Sequence, residues 1–397
     1  MKNEDMFQQA APLLIQLEQA GFEAYYVGGA VRDYVLKRPI GDVDIATSAL
    51  PEEVKNVFPK TVDVGIEHGT VLVLWKGVGY EVTTFRTESD YKDYRHPETV
   101  SFVRSLTEDL QRRDFTMNAM AMDQSGRIID PFNGQQALAH KQIQTVGEAS
   151  ERFSEDALRM MRAARFVSQL GFGLHEETAA ALKKHAPLLQ YIAVERKLNE
   201  IEKLFAGAYK NSGILVLLEA GLHTYLPGMM EQEKALEQLL SFSLDHLTSH
   251  QTWLLLLKLL NHPSPKTFLS EWRMPAQKVK YLTGALQLLY RRETEAWSDF
   301  FLYEAGSEAA IDVETVHALL HDREAKAEEL GERYARLAIQ QLSELAVSGK
   351  DLLSWKREKG GPWMKQYLSA IERAVVEGKV ENSKEQIKEW LKSCNLL

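Results

Sequence analysis

Only one of the 397 residues is a cysteine, Cys394, so the chain can form neither an internal disulfide nor a multi-cysteine zinc site. That scarcity fits a reducing, cytoplasmic compartment. Long apolar runs are also missing. Trp253-Leu254-Leu255-Leu256-Leu257 stops at Lys258, well short of a bilayer span, so no membrane partner is expected. Met1-Lys2-Asn3-Glu4-Asp5 carries no apolar signal core. The chain also lacks a basic excess. Its net charge of −9 argues weakly against a nucleic-acid partner, yet a local cationic track can still bind phosphates. With 45% hydrophobic and 26% charged residues it reads as globular, and its length allows several domains. No internal repeat stands out.

The most informative stretch is Gly28-Gly29-Ala30-Val31-Arg32-Asp33, followed by Gly41-Asp42-Val43-Asp44. Gly28 and Gly29 end a β-prone run, Tyr25-Tyr26-Val27, and open a helix. Without Cβ atoms their backbone N–H groups can approach a phosphate, and Arg32 adds a cation. Asp42 and Asp44 alternate on a strand, so both carboxylates share a face. Two hard oxygen ligands side by side suit Mg²⁺. Either motif alone is usually a turn or a solvated loop; their order and spacing together point to nucleotidyl transfer. The arrangement resembles the DNA polymerase β nucleotidyltransferase superfamily. That resemblance implies a third carboxylate on a neighbouring strand, for which Glu81 in Gly79-Tyr80-Glu81-Val82-Thr83 is the candidate; an exposed strand residue is the alternative.

The first part of the chain mixes helices and strands. Helices are expected near 5–20, 51–58 and 108–121, and strands over 25–27, 42–46, 61–64, 70–75, 80–85 and near 128–129. Arg86 to Glu98 reads as a mobile polar loop. After about residue 150 amphipathic helical patterns dominate, including 154–170, 176–188, 194–207, 211–220, 231–242 and 250–261. The expected fold class is α+β: a head with a small sheet, then an all-helical remainder.

A second constellation begins at Arg112-Arg113-Asp114, ahead of Phe115-Thr116-Met117-Asn118. Arginine forks onto phosphate oxygens, and Asp114 can fix such an arginine. Further on, Asp156, Arg159, Arg162 and Arg165 recur every three residues after Ser154, a candidate helix cap. On one continuous helix Asp156 and Arg159 are neighbours and the arginines form a curling basic stripe. A solvated face with weak ion pairs is the ordinary reading. The sharper reading is base selection. Cytosine and adenine each offer an amino donor beside a ring acceptor, which Asp156 and Arg159 can meet. Uracil and guanine reverse that pattern, and mispaired buried polar groups cost several kcal/mol in order of magnitude.

In this order the motifs resemble those of class II tRNA nucleotidyltransferases, the bacterial-type CCA-adding enzymes, and most closely the Bacillus group. The resemblance spans essentially the whole chain, with motif support dense in 25–166 and thin beyond. It implies a polymerase-β-like nucleotidyltransferase head (1–148), a neck that reads the base (149–210), and a body (211–310) and tail (311–397) that grip tRNA, in a seahorse-like arrangement. It implies Mg²⁺-dependent addition of C, C and A to the tRNA 3′ end from CTP and ATP. Asp42 and Asp44 match the metal ligands. Gly28, Gly29, Arg32 and Arg113 fall in the nucleotide-contacting motifs, Asp156 and Arg159 match the base-reading pair, and Arg162 and Arg165 match further nucleotide-binding arginines. A homodimer is also implied. A poly(A) polymerase, a CC- or A-adding specialist, and an inactive RNA-binding module are the alternatives; the intact 86–98 segment favours full CCA addition. Lys183-Lys184-His185, Arg196-Lys197, and Gly349-Lys350 with Trp355 to Gly361 are candidate RNA-backbone contacts, with surface loops as the alternative.

Overall fold

The computed structural model describes residues 3–65, 68–91 and 97–397. These form two compact units, 1–246 and 247–397. The first opens with helix α1 (Asn3–Gln19), whose Phe7, Leu13, Leu14 and Leu17 are buried. Strand β1 (Ala24–Val27) leads through Gly28 into α2 (Gly29–Val35), and β2 (Asp44–Thr47) precedes α3 (Pro51–Val57). Strands β3 (Thr61–Gly65), β4 (Thr70–Trp75) and β5 (Val78–Thr84) follow. Together with the short β8 (Ala121–Met122) and β9 (Ile128–Ile129) they build a sheet of order β3-β4-β5-β2-β1-β8-β9. Among the described residues of this sheet, β2 and β5 run parallel and the other pairs are antiparallel.

Alternation divides the sheet into a buried and an open face. Val71, Val73, Val82 and Ile45 are buried on one side. On the other, the pairing Ile45↔Val82 sets Asp44 beside Glu81. Leu72 and Val62 continue that row outward, because Leu72 opposes both Glu81 and Val62. One row thus runs from an apolar edge to two carboxylates.

Two expectations for the head need correction. Arg86 to Glu98 is not a plain loop: β6 (Arg86–Tyr91) and β7 (Pro97–Phe102) pair as an antiparallel hairpin, with Arg86 opposite Phe102 and Thr87 opposite Ser101. Residues 92–96 lie outside the described residues. The mostly polar sequence reads as a loop, although Thr87, Tyr91, Thr99 and Val100 are β-prone residue types. The expected helix 108–121 is a shorter α4 (Leu106–Gln111), followed by a 3-10 turn over Thr116–Asn118 and then β8. Asp114 stops it: its carboxylate accepts from Phe115 N at 2.8 Å, a local bond that competes with helix propagation.

Helices α5 (Gly134–Ala139), α6 (Ala149–Glu155), α7 (Leu158–Leu170), α8 (Glu176–His185) and α9 (Val194–Phe205) complete the part that builds the site. The expected helix 154–170 is therefore broken at Asp156, whose φ of −130° and ψ of 101° leave the helical region. Ser154 is not a cap; it sits inside α6 and donates to Ser150 O at 2.8 Å. Farther on, 211–220 and 231–242 appear as Lys210–Glu219 and Glu233–Leu240.

The second unit is helical. The leucine run around Trp253 is a core helix (Ser249–Leu260), with Trp253 edge-on to the buried Trp272 at 5.4 Å. A separate apolar cluster of Val347, Leu352, Ile371, Val375, Ile387 and Leu391 holds the C-terminal helices together. Among the described residues no helix is long and apolar enough to cross a membrane. The architecture is an α+β head with a small sheet followed by helices, as expected.

Candidate active site

Every catalytic and nucleotide-binding residue expected from the sequence lines one cavity of about 890 Å³ in the first unit, whereas Lys183, Lys184, His185 and the 349–361 candidates do not line it. Gly28, Gly29 and Arg32 enter from the β1–α2 turn, and Asp44 and Glu81 from the open sheet face. Asp42, expected on the same strand as Asp44, instead enters from the segment just before β2, which starts at Asp44. Arg113 and Asp114 enter from the segment after α4, and Asp156, Arg159, Arg162 and Arg165 from the helices opposite.

The turn requires its first glycine. Gly28 has φ of +70°, and a Cβ there would meet Arg113 Nη1 at 3.2 Å. Gly29 is the first residue of α2, where a Cβ would make only ordinary contact with Arg32.

The acidic wall is held under electrostatic tension. Burial, then the neighbouring Asp42 and Glu81 charges, push Asp44 up to about 6. A site that raises the cost of its own anion is relieved by a bound cation. Among the described residues no three His, Cys, Asp or Glu side chains converge as a ready-made metal cluster. Glu81 lines the cavity beside Asp44, but the three carboxylates do not form such a cluster. Two aspartates leave coordination positions for a substrate's phosphates and water, which is how Mg²⁺ is ordinarily held.

The cationic wall is arranged the opposite way, each guanidinium having a carboxylate. Asp109, 1% exposed, clamps both Arg112 (2.8 Å) and Arg113 (3.2 Å). Burial would raise its pKa, but the two arginines outweigh this and hold it below the usual carboxylate range. Arg162 meets Asp114 at 2.6 Å, and Arg165 meets Glu200 at 3.0 Å in a buried pair. Burial also works against ionised Asp114, but Arg162 and Asn118 hold it down at about 2. Burial and the Arg162 charge bring Arg165 down to about 10, still protonated at neutral pH.

The base-reading candidates do not pair with each other. Asp156 lies between α6 and α7, accepts from Leu158 N at 3.0 Å, and receives Arg196 of α9 on both oxygens at 3.3 and 2.8 Å. Arg159, in the first turn of α7, is fixed by Glu155 at 2.6 Å and by the carbonyls of Arg152 and Arg112 at 3.2 and 3.0 Å. A carboxylate accepts about four hydrogen bonds and a guanidinium donates five, so each of these cavity-lining residues retains unused capacity. The two sit on either side of a helix break rather than along one helix face.

Sequence reasoning missed several participants. Arg196 was expected on an RNA-facing surface but reaches the cavity, and Lys197 is buried, donating to Tyr225 O at 2.9 Å. Asn118 links the segment after α4 to α2: its amide donates to Asp114 at 3.2 Å, and its carbonyl accepts from Arg32 Nη1 at 2.8 Å. Asp109, Glu155 and Glu200 set arginine geometry. Asp109 and Glu155 act over three or four residues, whereas Glu200 reaches Arg165 across 35 residues, a pairing that no local signal announces.

Comparison with known proteins agrees with the geometry. Residues 24–144 match the family model "Poly A polymerase head domain", 171–233 match "Probable RNA and SrmB- binding site of polymerase A", and 245–391 match "tRNA nucleotidyltransferase domain 2". The CCA-adding enzyme of Geobacillus stearothermophilus is 51% identical over 393 residues, covering 98% of this chain and 97% of that protein. The crystal structure of Bacillus stearothermophilus CCA-adding enzyme in complex with CTP superposes with a TM-score of 0.89 at 49% identity, covering 98% of this chain and 97% of that one. A tRNA nucleotidyltransferase complexed with a primer tRNA and an incoming ATP analog gives a TM-score of 0.63 at 25% identity, covering 82% of this chain and 98% of that one. The family implies a divalent metal. With a shared fold, one cavity holding the expected catalytic and nucleotide-binding motifs, and half of its residues identical over nearly its full length, this chain belongs to the CCA-adding enzymes.

Proposed function

We propose that the chain is a CTP/ATP:tRNA nucleotidyltransferase that adds C, C and A to the tRNA 3′ end without a nucleic-acid template. The observation that carries this reading is that one cavity joins the Asp42–Asp44 wall to Asp156 and Arg159. The 3′-hydroxyl oxygen attacks the α-phosphorus, the α–β phosphoanhydride bond breaks, the hydroxyl proton is lost, and pyrophosphate leaves.

Asp42 and Asp44 are the residues that would hold Mg²⁺, and the strained carboxylate pair supports this assignment. When bound, Mg²⁺ lowers the pKa of an attacking hydroxyl and offsets phosphate charge. Glu81 adds negative potential beside Asp44. Gly28, Gly29 and Arg32 receive the triphosphate, with Arg32 oriented by Asp33 and Asn118. Arg113 is held by Asp109 to contact the nucleotide. Asp156 accepts from the amino group of cytosine or adenine, and Arg159 donates to the ring nitrogen. Arg162 and Arg165 line the same nucleotide subsite. The helical body and tail grip tRNA, and the protein acts in the cytoplasm as a homodimer.

The test supplies a tRNA lacking its 3′ end with labelled CTP and ATP, separately and together. C-C-A is expected when both are present. Long A tracts would instead favour a poly(A) polymerase, the name carried by the matched head family. C-C alone or A alone would mark a partial-addition specialist, and no incorporation would leave an RNA-binding module.

A further inference from the structure

Phe166, on α7, lines the cavity at 4% exposure, yet no chemical role falls to an apolar ring there. Its surroundings are unusual. The guanidinium carbons of Arg165, Arg32 and Arg162 lie over the ring at 4.2, 5.3 and 5.5 Å from its centroid. Its edge meets Phe115, in the segment after α4, at 5.7 Å and 86°. Each arginine is tied to a different carboxylate: Arg165 to Glu200 of α9, Arg162 to Asp114, and Arg32 to Asp33 of α2. Those carboxylates sit on three separate segments, whereas the ring is shared by all three cations. Guanidiniums repel one another, and burial removes the water that would screen them. An aromatic face attracts cations through its quadrupole, most strongly where water is excluded.

We propose that Phe166 is a positioning residue for the nucleotide site: its ring gathers Arg32, Arg162 and Arg165 into one preset cationic wall, and so sets affinity for CTP and ATP. The inference rests on the reading that the cavity binds those nucleotides. Phe166 touches no reacting atom, so its effect falls on binding and leaves chemistry at saturation nearly intact.

The test keeps shape constant while draining the ring's electron density. The full-length protein carries phenylalanine, 4-fluoro-, 3,5-difluoro- or 3,4,5-trifluorophenylalanine at position 166, with Phe166→Leu as a further variant. CTP and ATP dissociation constants are measured by titration calorimetry, and kcat is measured at saturating nucleotide. Both dissociation constants should climb stepwise with fluorine number, reaching about tenfold in the trifluoro protein, while kcat changes by less than about threefold. Phe166→Leu should bind at least as weakly as the trifluoro protein. A flat fluorine series overturns the inference, because packing alone is insensitive to ring electronics; an equal loss in kcat also overturns it. If the unmodified protein binds neither nucleotide, the functional reading itself fails and takes this inference with it.

Discussion

The two walls of the cavity handle charge in opposite ways. On the sheet side like charges are pressed together, and Asp44 is pushed up to about 6. On the helical side opposite charges are matched, and Asp114 is held down at about 2. A matched wall is rigid before substrate arrives and can measure shape and hydrogen-bond pattern. A mismatched wall remains short of a cation until one is supplied. The contrast separates residues that must recruit something from residues that must already be in place.

The sharpest way to break the comparison is Asp44→Asn. Nucleotide addition should fall by at least about 10³-fold, with tRNA binding retained; near-normal turnover would remove the acidic wall from the reaction. The same variant also sharpens it. Because the folded-state pKa of Asp44 lies above its unfolded value, ionised Asp44 is a standing cost that disappears as pH falls from about 6 toward 3.8. Without divalent ion, Asp44→Asn should therefore melt higher than the parent at pH 8 and no higher below pH about 4.

Asp114→Asn probes the matched wall. Removing one member of a buried pair strands Arg162 and should cost about 3 kcal/mol in denaturant unfolding. Sign matters here as well. The folded pKa of Asp114 is depressed, so its contribution is fully present above pH 3.8 and lost as pH falls through about 2. A variant as stable as the parent at pH 7 would show that the pair carries no weight. Arg159→Ala should weaken rejection of UTP and GTP by roughly tenfold to a hundredfold, read as competition against CTP; undiminished rejection would take Arg159 out of base reading.

The smallest effect is expected in the second unit. Deleting the tail would tear the cluster around Leu352 and Ile371, so charge reversal at the exposed Lys350 and Lys359 is the cleaner change. It should weaken tRNA binding about tenfold and flatten its salt dependence while leaving CTP affinity unchanged. Unchanged tRNA affinity would remove this segment from the RNA-gripping surface.

Residues that act through short-range spacing were legible in the sequence. Gly28 needs a left-handed φ, and Asp42 and Asp44 are separated by one residue where the chain enters β2, although the strand itself starts only at Asp44, so both motifs leave local signatures. Long-range partnerships did not. Arg196 reaches Asp156 across 40 residues and Arg162 reaches Asp114 across 48, and periodicity carries no information about either. The helix break at Asp156 was hidden because its cause is a side-chain bond to Leu158 N, in a stretch whose apolar pattern continues through it. The hairpin after Arg86 was masked by its largely polar sequence.

The most direct test of the two-wall account is a crystal structure with CTP and Mn²⁺ in place of Mg²⁺, the ion located by its anomalous scattering. The account predicts density for the ion at Asp42 and Asp44, with the amino edge of the cytosine against Asp156 and Arg159. A cytosine lodged away from that pair, or an ion bound elsewhere, would contradict it.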